Sequence, residues 1–358
     1  MADSHNIVII SGRSDSLFLT NVTDQAMYKM DTGGEIIISN FARTVIVFVN
    51  HVIFDMCICV CGIAGNCLSI TVFLKQGLRT SVNLSLFAMS VSDLIGLTFQ
   101  VWHNFCLNPY LEQSGLPVDF LDVQVLTAGC PNVAMTRITS WITMYITAER
   151  CLSVLTPFKV GRIITYERSA AILLFCYGIN LTFFLPRYAS EYLSLNFDPE
   201  LNISRLGREV RENETVIVFL INISHVHLSI IAFVVVIVNT AILVVSLKRK
   251  SEWRKNATRS QNETLSNREK KTVMLVISVA TVLIVCYAPG VTCAFLEILV
   301  PDFTFYGKQE NVYHVIWSFC FLFNSINASI NVIVYYKMSS KYRNTFQEIC
   351  PRLTGKTK

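Results

Sequence analysis

The stretch IIAFVVVIV, residues 230–238, is apolar at every position, and it decides the fold. A strand of a membrane barrel alternates between apolar and polar residues, so this run favours a helix buried in lipid. Seven stretches are long enough to cross a bilayer core of about 30 Å, which takes about 20 helical residues. They cover roughly 41–74, 82–106, 122–156, 166–187, 215–248, 268–299 and 311–336. Because backbone groups cannot stay unpaired in lipid, the sequence predicts an all-α membrane protein, a seven-transmembrane helix bundle.

The composition also indicates a membrane protein. Of the 358 residues, 52% are hydrophobic and only 15% are charged, whereas a soluble domain carries about 25% charged residues. The net charge of +5 does not point to a nucleic-acid partner, because the basic residues are concentrated in a few loops. Segment 248–271 holds nine Lys and Arg residues, and loop 107–121 holds none.

Basic loops mark the cytoplasmic side of a multi-pass protein. We therefore expect a plasma-membrane protein with its N-terminus outside and its C-terminus inside. This divides the chain into an extracellular tail (1–40), a seven-transmembrane domain (41–336) and a cytoplasmic helix and tail (337–358).

Several residues are candidates for covalent modification. Asn21, Asn202 and Asn213 begin glycosylation motifs in segments expected outside. Residues 339–349 are predicted to form a short amphipathic helix on the membrane lipid, with Tyr342, Phe346 and Ile349 facing lipid. Cys350 follows this helix and is a lipidation candidate.

Most of the 12 cysteines lie within spans, where we interpret them as packing residues. Cys106 and Cys130 both lie near the outer face, and they either form a disulfide or remain free thiols.

Five short motifs occur in order along the spans. They are Gly65-Asn66, the polar run ending at Asp93, Glu149-Arg150-Cys151, Cys286-Tyr287-Ala288-Pro289 and Asn331-Val332-Ile333-Val334-Tyr335. On these motifs the chain resembles the rhodopsin-like family of G-protein-coupled receptors over nearly its whole length. The resemblance implies a receptor that transmits an extracellular ligand signal to a heterotrimeric G protein, with arrestin and a receptor kinase as further partners.

Two runs narrow the resemblance. TSWITMYITAERC at 139–151 and NVIVYYKMSS at 331–340 are similar to molluscan chemosensory receptors and to FMRFamide-type neuropeptide receptors. The ligand is therefore expected to be either a chemosensory cue or a neuropeptide. The alternative is a transporter or channel without G-protein coupling, although no internal repeat is evident. An enzyme is not expected, since no nucleophile–base–acid group is present.

The resemblance also implies residues for switching and G-protein coupling. They are Glu149, Arg150, Glu269, Tyr287, Pro289, Asn331 and Tyr335. An ion pair between Arg150 and Glu269 would hold the third and sixth spans together at rest. The alternative is that Glu269 is a solvated member of a charged run. Pro289 removes one helical hydrogen bond and should kink the sixth span.

Asp93 lies inside the second span, where a carboxylate must be protonated, paired or bound to a cation. By resemblance, Asp93, Thr139, Asn327 and Asn331 form a pocket for an allosteric sodium ion, and no other cofactor is expected. The alternative is a hydrogen-bonded contact between helices, and both can hold together.

The expected ligand pocket lies in the outer half of the bundle. Asn132 stands where amine receptors have an acid, which disfavours an amine anchored on the third span. Helical phase adds His103, Thr136, Trp317, Phe321 and Ser325, each of which could instead be ordinary packing. Arg137 either pairs an anionic ligand group or braces neighbouring helices.

The outer face departs from the family pattern. The family ties its third helix to the second outer loop with a disulfide, whereas residues 188–214 contain no cysteine. We therefore expect this face to be organised differently.

Overall fold

The computed structural model describes residues 37–112, 114–198, 203–211, 215–256, 267–300, 302–304 and 307–351. A long first helix consists of α1 (Asn40–Phe48), the π-helical segment π1 (Val49–Asp55) and α2 (Met56–Gln76). The elements that follow are α3 (Ser81–Cys106), α4 (Pro109–Glu112), α5 (Phe120–Gln124), π2 (Val125–Gly129), α6 (Cys130–Leu155), α7 (Pro157–Ile163), α8 (Tyr166–Thr182), α9 (Leu185–Ser190), β1 (Glu191–Asp198), β2 (Ile203–Val210), α10 (Thr215–Asn256), α11 (Asn267–Leu299), α12 (Glu310–Met338) and α13 (Ser340–Ile349).

Six helices in the described part of the chain are long and apolar enough to cross a membrane. They are Asn40–Gln76, Ser81–Cys106, Tyr166–Ser190, Val226–Arg249, Lys270–Glu297 and Glu310–Met338. The remaining predicted span forms the continuous helix from α5 through π2 to α6. The helical membrane bundle is therefore confirmed.

Helix α6 is more polar than the other spans because protein, rather than lipid, surrounds it. It packs against α3, α8, α10 and α11, and 15 of its 26 residues are buried. Buried polar residues on this helix include Asn132, Arg137, Thr139 and Glu149. A central helix can carry such groups because its neighbours supply hydrogen-bond partners that lipid cannot.

Small residues allow α2 and α12 to pack closely, as is usual between membrane helices. A Cβ atom added at Gly65 would lie 2.9 Å from the Val332 side chain. Val332 stands where the family has proline, and its side chain fills the space that Gly65 leaves open.

The loop between α9 and α10, on the side predicted to be outer, folds as an antiparallel hairpin of β1 and β2, with Glu191 opposite Val210 and Asp198 opposite Ile203. This hairpin was not predicted. Its β2 strand is tied to the loop before α5, because Asp119 N donates to Leu206 O (2.9 Å) and Leu206 N donates to Pro117 O (2.9 Å).

Helix α13 is amphipathic as predicted, but the prediction that Tyr342 faces lipid was wrong. Tyr342 is buried against Phe73 and Tyr335, and its hydroxyl lies 2.8 Å from the Ser69 hydroxyl. Burial raises the pKa of Tyr342 to about 12. The apolar face of α13 therefore anchors this helix to the bundle at Tyr342.

Candidate functional site

A polar core joins α3, α6 and α12 at Asp93. Thr139 donates to Asp93 Oδ1 (2.7 Å), and Asn331 Nδ2 donates to Asp93 Oδ2 (2.9 Å). The Ser92 and Thr139 hydroxyls lie 2.9 Å apart. All four residues are buried. Motif residues from three helices thus share one hydrogen-bonded centre.

A cavity of about 10 Å³ lies beside this core, which is room for about one water molecule or bare ion. Its lining includes Asp93, Thr139 and Asn327. Asn331 Oδ1 is buried and has no partner among the described residues. The structure therefore brings together the four residues predicted to hold sodium. Their oxygen atoms match the preference of hard cations for oxygen ligands.

At the inner end of α6, Glu149 and Arg150 form an ion pair. The Glu149 carboxylate is buried and also accepts a hydrogen bond from Ser81 Oγ (2.7 Å) at the start of α3. Arg150 Nε is buried without a hydrogen-bond partner in the described part of the chain. The side chain of Glu269 lies outside the described residues, so its ion pair with Arg150 stays a prediction.

Two further residues that were predicted to act in switching connect helices in the middle and inner regions. Tyr287, two residues before Pro289 in α11, donates its hydroxyl to the Thr136 carbonyl of α6 (2.9 Å). Tyr335 is buried at the inner end of α12 and packs on Phe73. Each contact joins two helices, so a relative movement of those helices would change it.

The contacts of Arg137 are those of a structural link between α6 and α8. It is buried, and its Nε and Nη2 donate to Asn180 Oδ1 (2.6 Å) and to the Asn180 carbonyl (2.7 Å). Its guanidinium also lies 4.8 Å from the Phe184 ring centroid. Arg137 thus points to the α8–α9 region, away from the other predicted pocket residues.

The other pocket candidates fall into two groups, one held by hydrogen bonds and one formed by aromatic rings. Asn132 Nδ2 donates to Gly96 O (2.9 Å), and Ser325 accepts the Cys59 thiol (3.5 Å). On α12, the ring centroid of Phe321 lies 6.2 Å from that of Trp317 and 4.8 Å from that of His103. The structure therefore brings His103, Trp317 and Phe321 into one aromatic cluster.

The sequence analysis missed another buried carboxylate, Asp55, at the end of π1. Its Oδ2 accepts hydrogen bonds from Gln100 Nε2 (2.7 Å) and Asn104 Nδ2 (2.8 Å) of α3. His51, one turn earlier, lies with its Nδ1 2.9 Å from Asn104 Oδ1. The four-residue spacings of His51 with Asp55 and of Gln100 with Asn104 could have revealed this group, because such pairs share a helix face.

The hairpin is held by ion pairs where the family uses a disulfide. The buried Glu191 carboxylate pairs with Arg187 (3.0 Å) and with Arg208 (3.1 Å). The backbone N of Arg208 also donates to Asp122 Oδ2 (3.2 Å), which ties β2 to α5. Cys106 and Cys130 are both buried free thiols.

Of the four predicted modification sites, the structure describes only Cys350. Asn21, Asn202 and Asn213 all lie outside the described residues, so glycosylation stays a prediction. Cys350 is partly exposed just after α13, a placement compatible with lipidation.

Comparisons with known proteins agree with this arrangement. A family model described as serpentine type 7TM GPCR chemoreceptor Srw matches residues 53–352. The thyrotropin-releasing hormone receptor of Ovis aries is 22% identical over 320 residues, which cover 84% of this chain and 77% of that receptor. The FMRFamide receptor of Drosophila melanogaster is 24% identical over 296 residues, covering 80% of this chain and 51% of that receptor. Neuromedin-U receptor 2 of Homo sapiens is 23% identical over 308 residues, which cover 81% of this chain and 69% of that receptor.

Proposed function

The chain belongs to the serpentine-type seven-transmembrane G-protein-coupled chemoreceptor family Srw, and we propose that it binds a neuropeptide outside the cell and activates a heterotrimeric G protein inside. The observation that carries the signalling part is the Asp93 core, which joins α3, α6 and α12 by hydrogen bonds. Rearrangement of such a core can shift three helices at once, and switching needs a two-state element of this kind.

The neuropeptide is supported by the relatives, which are named for thyrotropin-releasing hormone, FMRFamide and neuromedin-U. The second candidate is a small chemosensory cue, because the family model is described as that of a chemoreceptor. A screen in transfected cells that applies amidated peptides and small odorants, with G-protein activation as the readout, tests both. Activation by a peptide supports the neuropeptide, and activation by odorants alone replaces it with the chemosensory cue.

The switch residues take different parts in the proposed mechanism. Pro289 divides α11 into an outer half and an inner half that can swing, since the helical hydrogen bond at this position is missing. Tyr287 holds α11 to α6 through the Thr136 carbonyl. Arg150 leaves Glu149 when the G protein binds, and it then faces the opened inner cleft.

The resting latch between Arg150 and Glu269 belongs to the same proposal. Glu269→Ala should raise basal G-protein activation severalfold, because the third and sixth spans would lose their ionic contact. Glu269→Asp, which keeps the charge, is the matched control. A basal activity that stays flat in the alanine variant at equal surface expression argues against the latch.

A sodium ion fits the Asp93 core and would supply a positive charge that favours the resting arrangement. Asp93, Thr139, Asn327 and Asn331 would hold it. The proposal also places the N-terminus outside, the basic segment 248–271 and Cys350 at the inner leaflet, and arrestin and a receptor kinase at the inner face. Anionic lipid attracts basic segments at about 1 kcal/mol per residue.

A further inference from the structure

The buried carboxylate of Asp55 is not matched by a cation. It is fully buried, and no described Lys or Arg pairs with it. Among the described residues, its Oδ2 accepts two amide hydrogen bonds, whereas Oδ1 accepts only the Cys59 thiol at 3.7 Å. A charge held this way in a membrane bundle is costly, and such residues usually mark a functional site. Asp55 also ends a π-helical segment, a feature frequent at functional sites.

The hydrogen bonds fix the tautomer of His103. Gln124 Nε2 donates to Leu121 O (3.1 Å), so the atom 2.7 Å from His103 Nδ1 is the amide oxygen. An amide oxygen only accepts, and His103 Nδ1 must therefore carry the proton. His103 Nε2 is then an acceptor in the neutral ring. It is buried and has no partner among the described residues.

The same reasoning applies to His51. Asn104 Nδ2 donates to Asp55, so Asn104 Oδ1 is the atom that faces His51 Nδ1. His51 Nδ1 is the donor, and its Nε2 is left as an acceptor. The two histidine rings meet edge to face, with 5.3 Å between their centroids. The group thus combines a buried acid with an acceptor, His103 Nε2, that has no partner among the described residues, while the ring donors are occupied.

An aromatic path leads to this group from the outer end of α12. Tyr313, Trp317 and Phe321 follow one another at four-residue spacing, with ring centroids 6.1 and 6.2 Å apart. Phe321 touches both histidine rings. Aromatic faces attract cations. The described residues contain no group of three metal-ligating side chains, which disfavours a divalent metal.

We propose that Asp55 and His103 bind the ammonium or guanidinium group of the receptor's ligand. Such a group supplies a positive charge together with several N–H donors, which the unused acceptors require. The inference rests on the proposed function only in assigning the cation to the ligand. The site for the ligand's basic group is therefore not on α6, where Asn132 is neutral and bonded to Gly96. It lies between π1, α3 and α12.

The test uses small probes and needs no knowledge of the ligand. Thermal unfolding of the purified full-length receptor is measured with n-butylammonium, n-butylguanidinium, tetramethylammonium, which has no N–H donor, and neutral n-butanol. We expect one of the first two probes to raise the unfolding midpoint and the last two to leave it unchanged. Asp55→Asn should weaken the apparent affinity about tenfold or more, since hydrogen bonds to charged groups are the strong ones.

A second variant guards against misfolding of the first. His103→Asn keeps a donor for Gln124 and removes the Nε2 acceptor, so it should weaken the probe affinity by a smaller factor. Glu348→Gln, at an exposed acid on α13, should leave the probe affinity unchanged and is the matched control. Equal stabilisation of the wild type and of the Asp55→Asn and His103→Asn variants would overturn the proposal, and so would the absence of any stabilisation of the wild type by the two N–H-bearing cations. G-protein activation is not part of the readout, so a failure of the proposed signalling function remains distinguishable.

Discussion

The inner and outer halves of the bundle each bury a carboxylate, and they treat it differently. Asp93 accepts a hydroxyl and an amide from two other helices and lies beside a small cavity. Asp55 accepts two amides from one helix and lies among histidine and aromatic rings. Gln100, the partner of Asp55, is two helical turns, or about 10 Å, beyond Asp93 on α3. Three helices meet at the inner acid, which suits a switch, whereas aromatic rings lead to the outer acid, which suits a ligand anchor.

The outer and inner ends also differ in how they are tied. The outer hairpin is held by the ion pairs of Glu191 with Arg187 and Arg208. The inner end is held by the buried tyrosines Tyr335 and Tyr342 and by the Glu149–Arg150 pair. Ion pairs therefore hold the outer hairpin, whereas the inner end combines aromatic packing with one ion pair.

The largest expected effect concerns the inner end alone. Arg150→Ala should abolish ligand-evoked G-protein activation while surface expression is retained, because the variant lacks the charge that, in the proposed mechanism, leaves Glu149 on activation. G-protein activation in transfected cells is the measurement. Arg79→Ala, at an exposed arginine between α2 and α3, is the control. Full activation of the Arg150 variant would remove the division between a signalling inner half and a binding outer half.

At the outer end, Glu191→Ala should destabilise the purified receptor by about 3 kcal/mol, because removing the buried carboxylate leaves the two arginine charges without their partner. The thermal unfolding midpoint reports this loss, and Tyr192→Phe on the exposed hairpin provides a comparison. Arg187 and Arg208 are each partly exposed, so water reduces the effect. An unchanged midpoint would mean that the hairpin backbone, rather than the ion pairs, holds this face.

The two carboxylates should also differ towards sodium. Asp93→Asn should remove the stabilisation that sodium chloride gives relative to choline chloride at equal ionic strength, since the variant lacks the charge that attracts the ion. Asp55→Asn should retain that stabilisation. The measurement is the thermal unfolding midpoint of the wild type, Asp93→Asn and Asp55→Asn in each of the two salts. Equal sodium dependence in all three would leave the Asp93 core as a hydrogen-bonded contact only.

The smallest effect is expected at the contact of α13 with the bundle. Tyr342→Phe should cost about 1 kcal/mol, because the Ser69 hydroxyl loses its partner while the ring stays packed. The double variant with Ser69→Ala should recover part of this loss. If Tyr342→Phe proves neutral in thermal unfolding, ring packing alone anchors α13.

Much of the fold was predictable because lipid imposes a single requirement on every span. Long apolar runs marked the helices, and the position of Pro289 within α11 followed directly. The motif residues Asp93, Thr139 and Asn331 were predicted to meet, and they do. The more polar span at α6 was also among the seven stretches predicted to cross the membrane, as residues 122–156.

The predictions were weaker where a residue's role depends on which neighbour it faces. For Arg137 the sequence left a ligand contact and a helix brace open, and only the structure shows the brace, in which the guanidinium donates to Asn180. Phase also placed Tyr342 towards lipid, although it packs on Phe73. Asp55 escaped notice because it belongs to no motif, and the four-residue spacings that mark its group are common on helices.

The sequence by itself determined that this chain is a bundle of membrane helices of the receptor family, since hydropathy and motif order are properties of the chain read in one dimension. Only the tertiary structure decided that Asp55 meets Gln100 and Asn104, and that ion pairs replace a disulfide under the outer hairpin. The physical reason is that hydrogen bonds and ion pairs act over a few ångströms. Partners distant along the chain therefore become known only once the helices are packed.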